Sequence, residues 1–409
     1  MLKRLIVIVT AAIVFSSSLT LAESKKPKVP DKFPPSPLEI TTPDPLLPRL
    51  PKDKQPLTLQ EQQNLEPALD ALNQEAAAKL QAGEPVVAFE IWNRELRLRR
   101  FLGSLAEVQA LSRVGAIAWK QNNKEEVQYI LQRLQAIEKQ AESQKKTAQV
   151  DLELWRSLAQ AYQNVRSIKL AVEAYDQVLL VVRQQKDTTA LVEMLKTIGE
   201  LHLSWFDYPK AAPVYEELLG LATSQGERVN EITYLQRLAY IYEQTQQPQQ
   251  SLNVLNKLLE IYVSENNLTK IPELKLAIAS DYESLAKKDP NLLLEAFKNY
   301  QEAYTTAWQL KEYVPAGDAL QKLIALYRSQ GQIDEALQAS QILVQTEAQA
   351  ANFYGMMQAY DQIGQLYIER KDFPQALTAF KQGLELAQQL KHKEAYFTGQ
   401  IEKVSKANL

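Results

Sequence analysis

From about residue 57 onward, apolar side chains recur at the three- and four-residue spacing of amphipathic helices, in blocks parted by short polar breaks. Trp155, Leu158, Ala159 and Tyr162 form one such face, and Ala171 and Tyr175 begin the next. The blocks themselves recur. Gly115, Ala159, Gly199, Ala239, Ala279, Ile324 and Gly364 are separated by 44, 40, 40, 40, 45 and 40 residues, and each precedes a Tyr, His or Ala by three. Self-similarity at this period is the mark of a solenoid, whose units bury apolar faces against their neighbours.

Breaks such as Gly83-Glu84-Pro85, Gln121-Asn122-Asn123, Asp207-Tyr208-Pro209, Gln247-Pro248, Gly331-Gln332 and Lys371-Asp372-Phe373-Pro374 supply the helix stops and starts. The small ladder residue belongs where the two helices of a unit meet, since a larger side chain would push the axes apart. Ile324 departs from that rule and predicts a locally wider pair. The Tyr and Phe positions fill the spaces between units. Two intervals are longer: one carries the polar stretch 139–149, and the other inserts 287–294, where Asp289-Pro290 predicts a protruding loop.

The motif W-x2-L-A-x2-Y followed by A-x3-Y at Trp155–Tyr175 resembles the tetratricopeptide repeat (TPR), a helix-turn-helix unit. Copies with Leu195, Ile198, Gly199 and His202, and with Tyr360, Ile363, Gly364, Tyr367, Ala376 and Phe380, extend the resemblance over 68–394. The usual period is 34 residues, so the likeness is to long-repeat members. It implies an all-α, right-handed superhelix of about eight repeats, with residues 68–101 as a degenerate first unit and 395–407 as a C-terminal capping helix.

Ahead of the repeats, Lys3 and Arg4, the apolar run Leu5–Phe15 and Thr20-Leu21-Ala22 have the three-part layout of a secretory signal peptide over 1–22. An uncleaved N-terminal membrane anchor is the competing reading. Residues 23–56 hold ten of the 19 prolines, which predicts an extended polyproline linker reaching about 100 Å, with 57–409 as the solenoid. The chain has no cysteine, so disulfides and thiolate metal sites are excluded. Net charge is −3, or −5 once Lys3 and Arg4 are removed, which gives no basic surplus for nucleic acid. No phosphate-cradling Gly-rich loop or Gly-x-Ser-x-Gly elbow occurs, and no nucleophile, base and orienting group can be assembled, so an enzyme is not expected.

The TPR resemblance places the peptide groove on the first helix of each unit. By register it would present Arg156, Gln160, Asn164, Glu193, Lys196, Glu200, Gln236, Tyr240, Glu243, Glu283 and Arg328, a polar set suited to an extended peptide. Glu243 and Glu283 stand late in adjacent groove helices, one period apart, with Glu200 one turn earlier in the preceding unit; converging carboxylates would suit Mn²⁺ or another oxygen-seeking ion, and a solvated groove face is the plainer reading. His202 occupies a Tyr slot and is expected to be packed between repeats. Arg94, Arg97 and Arg100 recur about once per turn, either as a stripe for an acidic partner or as an exposed helix face.

The layout of signal, Pro-rich linker and long repeats also resembles the periplasmic TPR proteins of cyanobacteria that act in photosystem II assembly. That resemblance implies a membrane-proximal scaffold, holding the C-terminal region of the reaction-centre precursor D1 and helping to supply Mn²⁺. The alternative is an envelope adaptor or regulatory module that binds through the Arg94–Arg100 face.

Overall fold

The computed structural model describes residues 36–39, 43–47, 56–144 and 151–407. The signal-like segment, much of the Pro-rich leader and part of the polar stretch 139–149 lie outside them. Among the described residues there are seventeen α-helices and no strand. They fall into two compact units, divided within one helix between Ile137 and Glu138.

Unit 1 comprises α1 (Leu59–Gln81), α2 (Pro85–Arg99), α3 (Ser104–Lys120) and most of α4 (Lys124–Gln144). Helix α1 starts at a capping box, in which the Thr58 hydroxyl accepts from the Glu61 amide at 3.3 Å and Glu61 accepts from the Thr58 amide at 2.7 Å. Ala76, Ala88 and Trp92 are fully buried. Trp92 donates its indole N–H to Asn73 at 3.0 Å, so even this buried ring keeps its polar edge satisfied.

Unit 2 carries α5 (Leu152–Asn164), α6 (Ile168–Gln185), α7 (Thr188–Ser204), α8 (Tyr208–Gln225), α9 (Arg228–Gln244), α10 (Pro248–Ser264), α11 (Ile271–Ala286) and α12 (Leu293–Gln309). It continues through α13 (Tyr313–Ser329), α14 (Ile333–Gln349), α15 (Phe353–Glu369) and α16 (Phe373–Leu390) to α17 (Glu394–Ala407). From α5 to α17 each helix packs against the next one in the chain, the stacking of TPR-type hairpins. The last, α17, buries Phe397 and Val404 against the preceding hairpin.

The ladder positions show why they are small. A Cβ on Gly364 would come within 2.6 Å of the Phe380 ring, and one on Gly199 within 3.0 Å of the Tyr215 ring. Each aromatic lies on the second helix of the same hairpin, sixteen residues on. At Ile324 the bulk is traded: Ser340 stands sixteen residues on, fully buried, and its hydroxyl donates to the Ala336 carbonyl at 2.8 Å. The wider pair expected from Ile324 is therefore answered by a small partner.

The loop expected over 287–294 is instead a short 3-10 turn, Pro290–Leu292, capped by the Asp289 carboxylate at the Asn291 amide and leading directly into α12. Most turns close through a left-handed residue, and few of these are glycine. Arg166 (φ 60°), Phe206 (58°) and Gln246 (54°) recur every 40 residues between the helices of a hairpin, while Lys186, Asn266, Lys311, Ala351 and Lys391 stand between hairpins.

Candidate functional site

Helices α9 and α11 flank a trough floored by α10. Gln236 and Ala239 on α9, Leu255, Leu258 and Tyr262 on α10, and Glu273 and Ala277 on α11 line one cavity of about 190 Å³. A second, of about 480 Å³, lies between Tyr242, Glu243, Gln246 and Gln247 on one side and Ser280, Asp281, Ser284, Lys287 and Lys288 on the other. This is the groove assigned by register to first helices, and two of the expected residues, Gln236 and Glu243, line it.

Asp281 is the chemical anomaly in that trough. Counted along the repeats, its slot is held by Ala161, Leu201, Ile241, Leu326 and Leu366, all buried. A carboxylate standing where five repeats place hydrocarbon is pushed up to about pKa 6, chiefly by burial; the Ser251 hydroxyl opposes this, and the Glu243 charge reinforces it. One of its oxygens, Oδ2, is buried without a hydrogen-bond partner. Among the described residues nothing donates to that oxygen.

The other groove candidates are mostly engaged with their own repeats. Glu200 accepts from the Tyr215 hydroxyl at 2.8 Å and pairs with Arg237 at 3.3 Å. Glu283 accepts from Tyr300 at 3.0 Å, and Gln236 donates to Tyr262 at 2.9 Å. Tyr240 meets Tyr208 edge-on with their hydroxyls 3.1 Å apart, Gln160 bonds Asn164 at 3.2 Å, and Arg328 pairs with Glu369. Arg156 and Glu193 are exposed, and Lys196 is half-buried. Burial and the adjacent carboxylates push the Tyr215 and Tyr300 phenols up, so both remain protonated donors.

Glu200, Glu243 and Glu283 therefore do not converge: two are turned into phenol bonds while the third faces the larger cavity. Among the described residues, no group of three or more His, Cys, Asp or Glu side chains is placed to hold a metal. The donor set does not fit Mn²⁺. His202 is buried in its Tyr slot, its Nδ1 3.5 Å from Asp207, and burial lowers its pKa. His392 lies against the Tyr354 ring at 5.7 Å.

The arginine stripe of unit 1 is neither free nor simply exposed. Arg94 forks onto Asp44 at 2.8 and 2.9 Å, Arg97 donates to the Pro37 carbonyl at 2.6 Å, and Arg100 donates to the Leu38 carbonyl. Residues 36–39 and 43–47 of the Pro-rich leader form turns docked on α2, in place of the extended stalk expected there. Behind them Glu107, almost fully buried, is gripped by Arg100 at 3.0 Å and by Arg133 at 2.5 and 2.8 Å. Glu95, also buried, takes Arg99 at 3.0 Å and Arg113 at 2.6 Å.

Among the described residues, no helix is long and apolar enough to cross a membrane. The tetratricopeptide repeat pattern matches at residues 232–262 and 358–390, the first covering α9 with α10 and the second α15 with α16. No curated protein matches the chain. Among solved structures, BtubC (BKLC) from P. vanneervenii is 20% identical over 55% of this chain and 90% of its own, with a TM-score of 0.38. MamA is 21% identical over 47% and 96%, at 0.35. The STAND protein PH0952 from Pyrococcus horikoshii, which has a tetratricopeptide repeat sensor, is 13% identical over 86% and 50%, at 0.43. The chain is an all-α stack of helical hairpins that carries tetratricopeptide repeats.

Proposed function

We propose that the protein is a non-enzymatic scaffold that holds an extended peptide in the α9–α11 trough and anchors it by a basic side chain. The observation that carries this reading is Asp281, a half-buried carboxylate with an unpartnered oxygen in a slot that is otherwise apolar. A lysine or arginine head beside Asp281 and Glu243 would pair with their charge and favour the ionised form. Ser280, Ser284, Gln246 and Gln247 offer polar groups along the same cavity, and the apolar floor at Leu255 and Leu258 would receive a neighbouring aliphatic side chain.

The test is fluorescence anisotropy of the chain with extended peptides that differ at one position, Arg, Lys, Gln or Leu. Arg and Lys peptides are expected to bind about tenfold or more tightly than Gln or Leu, and Asp281→Asn to erase the difference. Equal affinities in the wild type would move the site off this trough.

The leader and the long repeats support a more specific setting: an exported, membrane-proximal compartment, with a reaction-centre precursor tail of photosystem II as the peptide. Its test is capture of a synthetic D1 precursor tail by the wild type but not by Asp281→Asn.

A further inference from the structure

The docking of residues 36–39 and 43–47 onto α2 has the chemistry of peptide recognition. Two of the three arginines address main-chain carbonyls, Pro37 and Leu38, which a segment of any sequence would offer. The third, Arg94, reads a side chain: its fork onto Asp44 holds that carboxyl below its ordinary range, chiefly through the hydrogen bond itself. Leu38, only 1% exposed, supplies an apolar anchor six residues ahead of the carboxylate. Leu46 and Leu47 lie against a cluster of Leu57, Leu65, Leu69, Leu72 and Leu98. Asp44 also accepts the Leu46 amide at 3.0 Å, which shapes the turn that presents those leucines.

The receiving face is built for this purpose more than for solvent. Arg97 is partly buried, its pKa lowered by burial, and it donates to a peptide carbonyl. Arg100 lies between the Leu38 carbonyl and the buried Glu107, so the face is braced from beneath. An arginine stripe meant only for solubility has no use for such bracing.

We propose that the arginine face of α2 is a docking site for turn-forming protein segments that carry a leucine and, six residues later, a carboxylate. Residues 36–39 and 43–47 are its tethered occupant, and a partner's segment of the same chemistry displaces them. The site is in unit 1 and independent of the α9–α11 trough. The tether gives the occupant an effective concentration on the order of millimolar, so a competitor in trans meets a closed site unless the tethered contact is weakened.

The test uses the full chain and a fluorescent probe peptide with the sequence of residues 34–48, read by anisotropy. The wild type is expected to bind the probe weakly. Asp44→Lys, which breaks the tethered pair at a partly exposed position, is expected to bind it at least about tenfold more tightly. Adding Arg94→Glu restores an opposite-charge pair within the chain and repels the probe's carboxylate, so the double variant returns to weak binding. A probe with Leu38→Ala loses its affinity for the Asp44→Lys chain. Equal binding by wild type and Asp44→Lys, or tight binding that survives in the double variant, overturns the proposal. Because Asp44→Lys could disturb unit 1, Asp44→Asn is measured alongside it with circular dichroism; a folded Asp44→Asn chain with no gain in probe affinity counts equally against the site. A wild-type dimer that Asp44→Lys dissociates would make a second copy the occupant and overturn the assignment of a partner.

Discussion

Asn93 on α2 donates its amide to the Glu126 carboxylate on α4 at 3.0 Å, yet Asn93 Oδ1 and Glu126 Oε1 are both buried without partners. A proton on Glu126 reconciles the two orphans, because a carboxylic acid and a primary amide pair cyclically through one bond each way. Burial pushes Glu126 up to about 7, with the Asn93 bond opposing that shift. The folded pKa lies above the unfolded one, so the contribution to stability is complete below about 4.5 and is lost as pH rises through about 7. Glu126→Gln keeps both bonds at every pH. Urea denaturation should show the wild type falling behind Glu126→Gln between pH 5 and 8 by at most about 3 kcal/mol; a constant gap between the two would contradict a neutral Glu126.

The trough should respond to pH in the opposite sense. Asp281 binds a cation only when ionised, and its pKa is raised to about 6. Affinity for an Arg-bearing peptide should therefore rise from pH 5 to pH 7 and level off above. In Asp281→Asn the profile should be flat, as calorimetric titration at several pH values would show.

Glu107 is held by two arginines at almost no exposure. Glu107→Gln would leave Arg100 and Arg133 with an uncharged partner in a desolvated place. The expected loss is about 3–5 kcal/mol in chemical denaturation, against well under 1 kcal/mol for breaking the exposed Arg370–Asp334 pair.

Gly364 and Phe380 should be coupled. Gly364→Ala places a methyl within 2.6 Å of the ring and is expected to cost about 1–3 kcal/mol. Phe380→Leu in the same chain should recover part of that cost, giving a non-additive double-mutant cycle; strict additivity would mean the two do not share that space.

Ala351 closes a turn at φ 53°, where a side chain is strained and glycine is not. Ala351→Gly should raise the thermal midpoint, by about 0.5–1 kcal/mol of added stability, while Ala350→Gly, at the preceding right-handed cap, should lower it.

The ladder made most of this fold legible, because packing between repeats imposes the same few side chains at the same spacing. The signal for Asp281 was also there, as an acid in the slot of Leu201 and Ile241. It needed comparison of every slot across the repeats, not only the conserved-looking ones. The metal reading failed because Tyr215 and Tyr300 claim Glu200 and Glu283, and Glu200 stands one turn earlier in its repeat than the other two. The arginine stripe was visible as a stripe, but its occupant was not. A contact across 50 residues, such as Arg94 to Asp44, leaves no periodic trace.

Because each helix from α5 to α17 packs against the next one in the chain, the stack should behave under load as a spring. Tension applied at α17 is passed on one hairpin at a time, and no distant contact must break before the first hairpin yields. Such a material gives way gradually from an end, so unit 2 under tension would lengthen and recover without losing the trough at its middle.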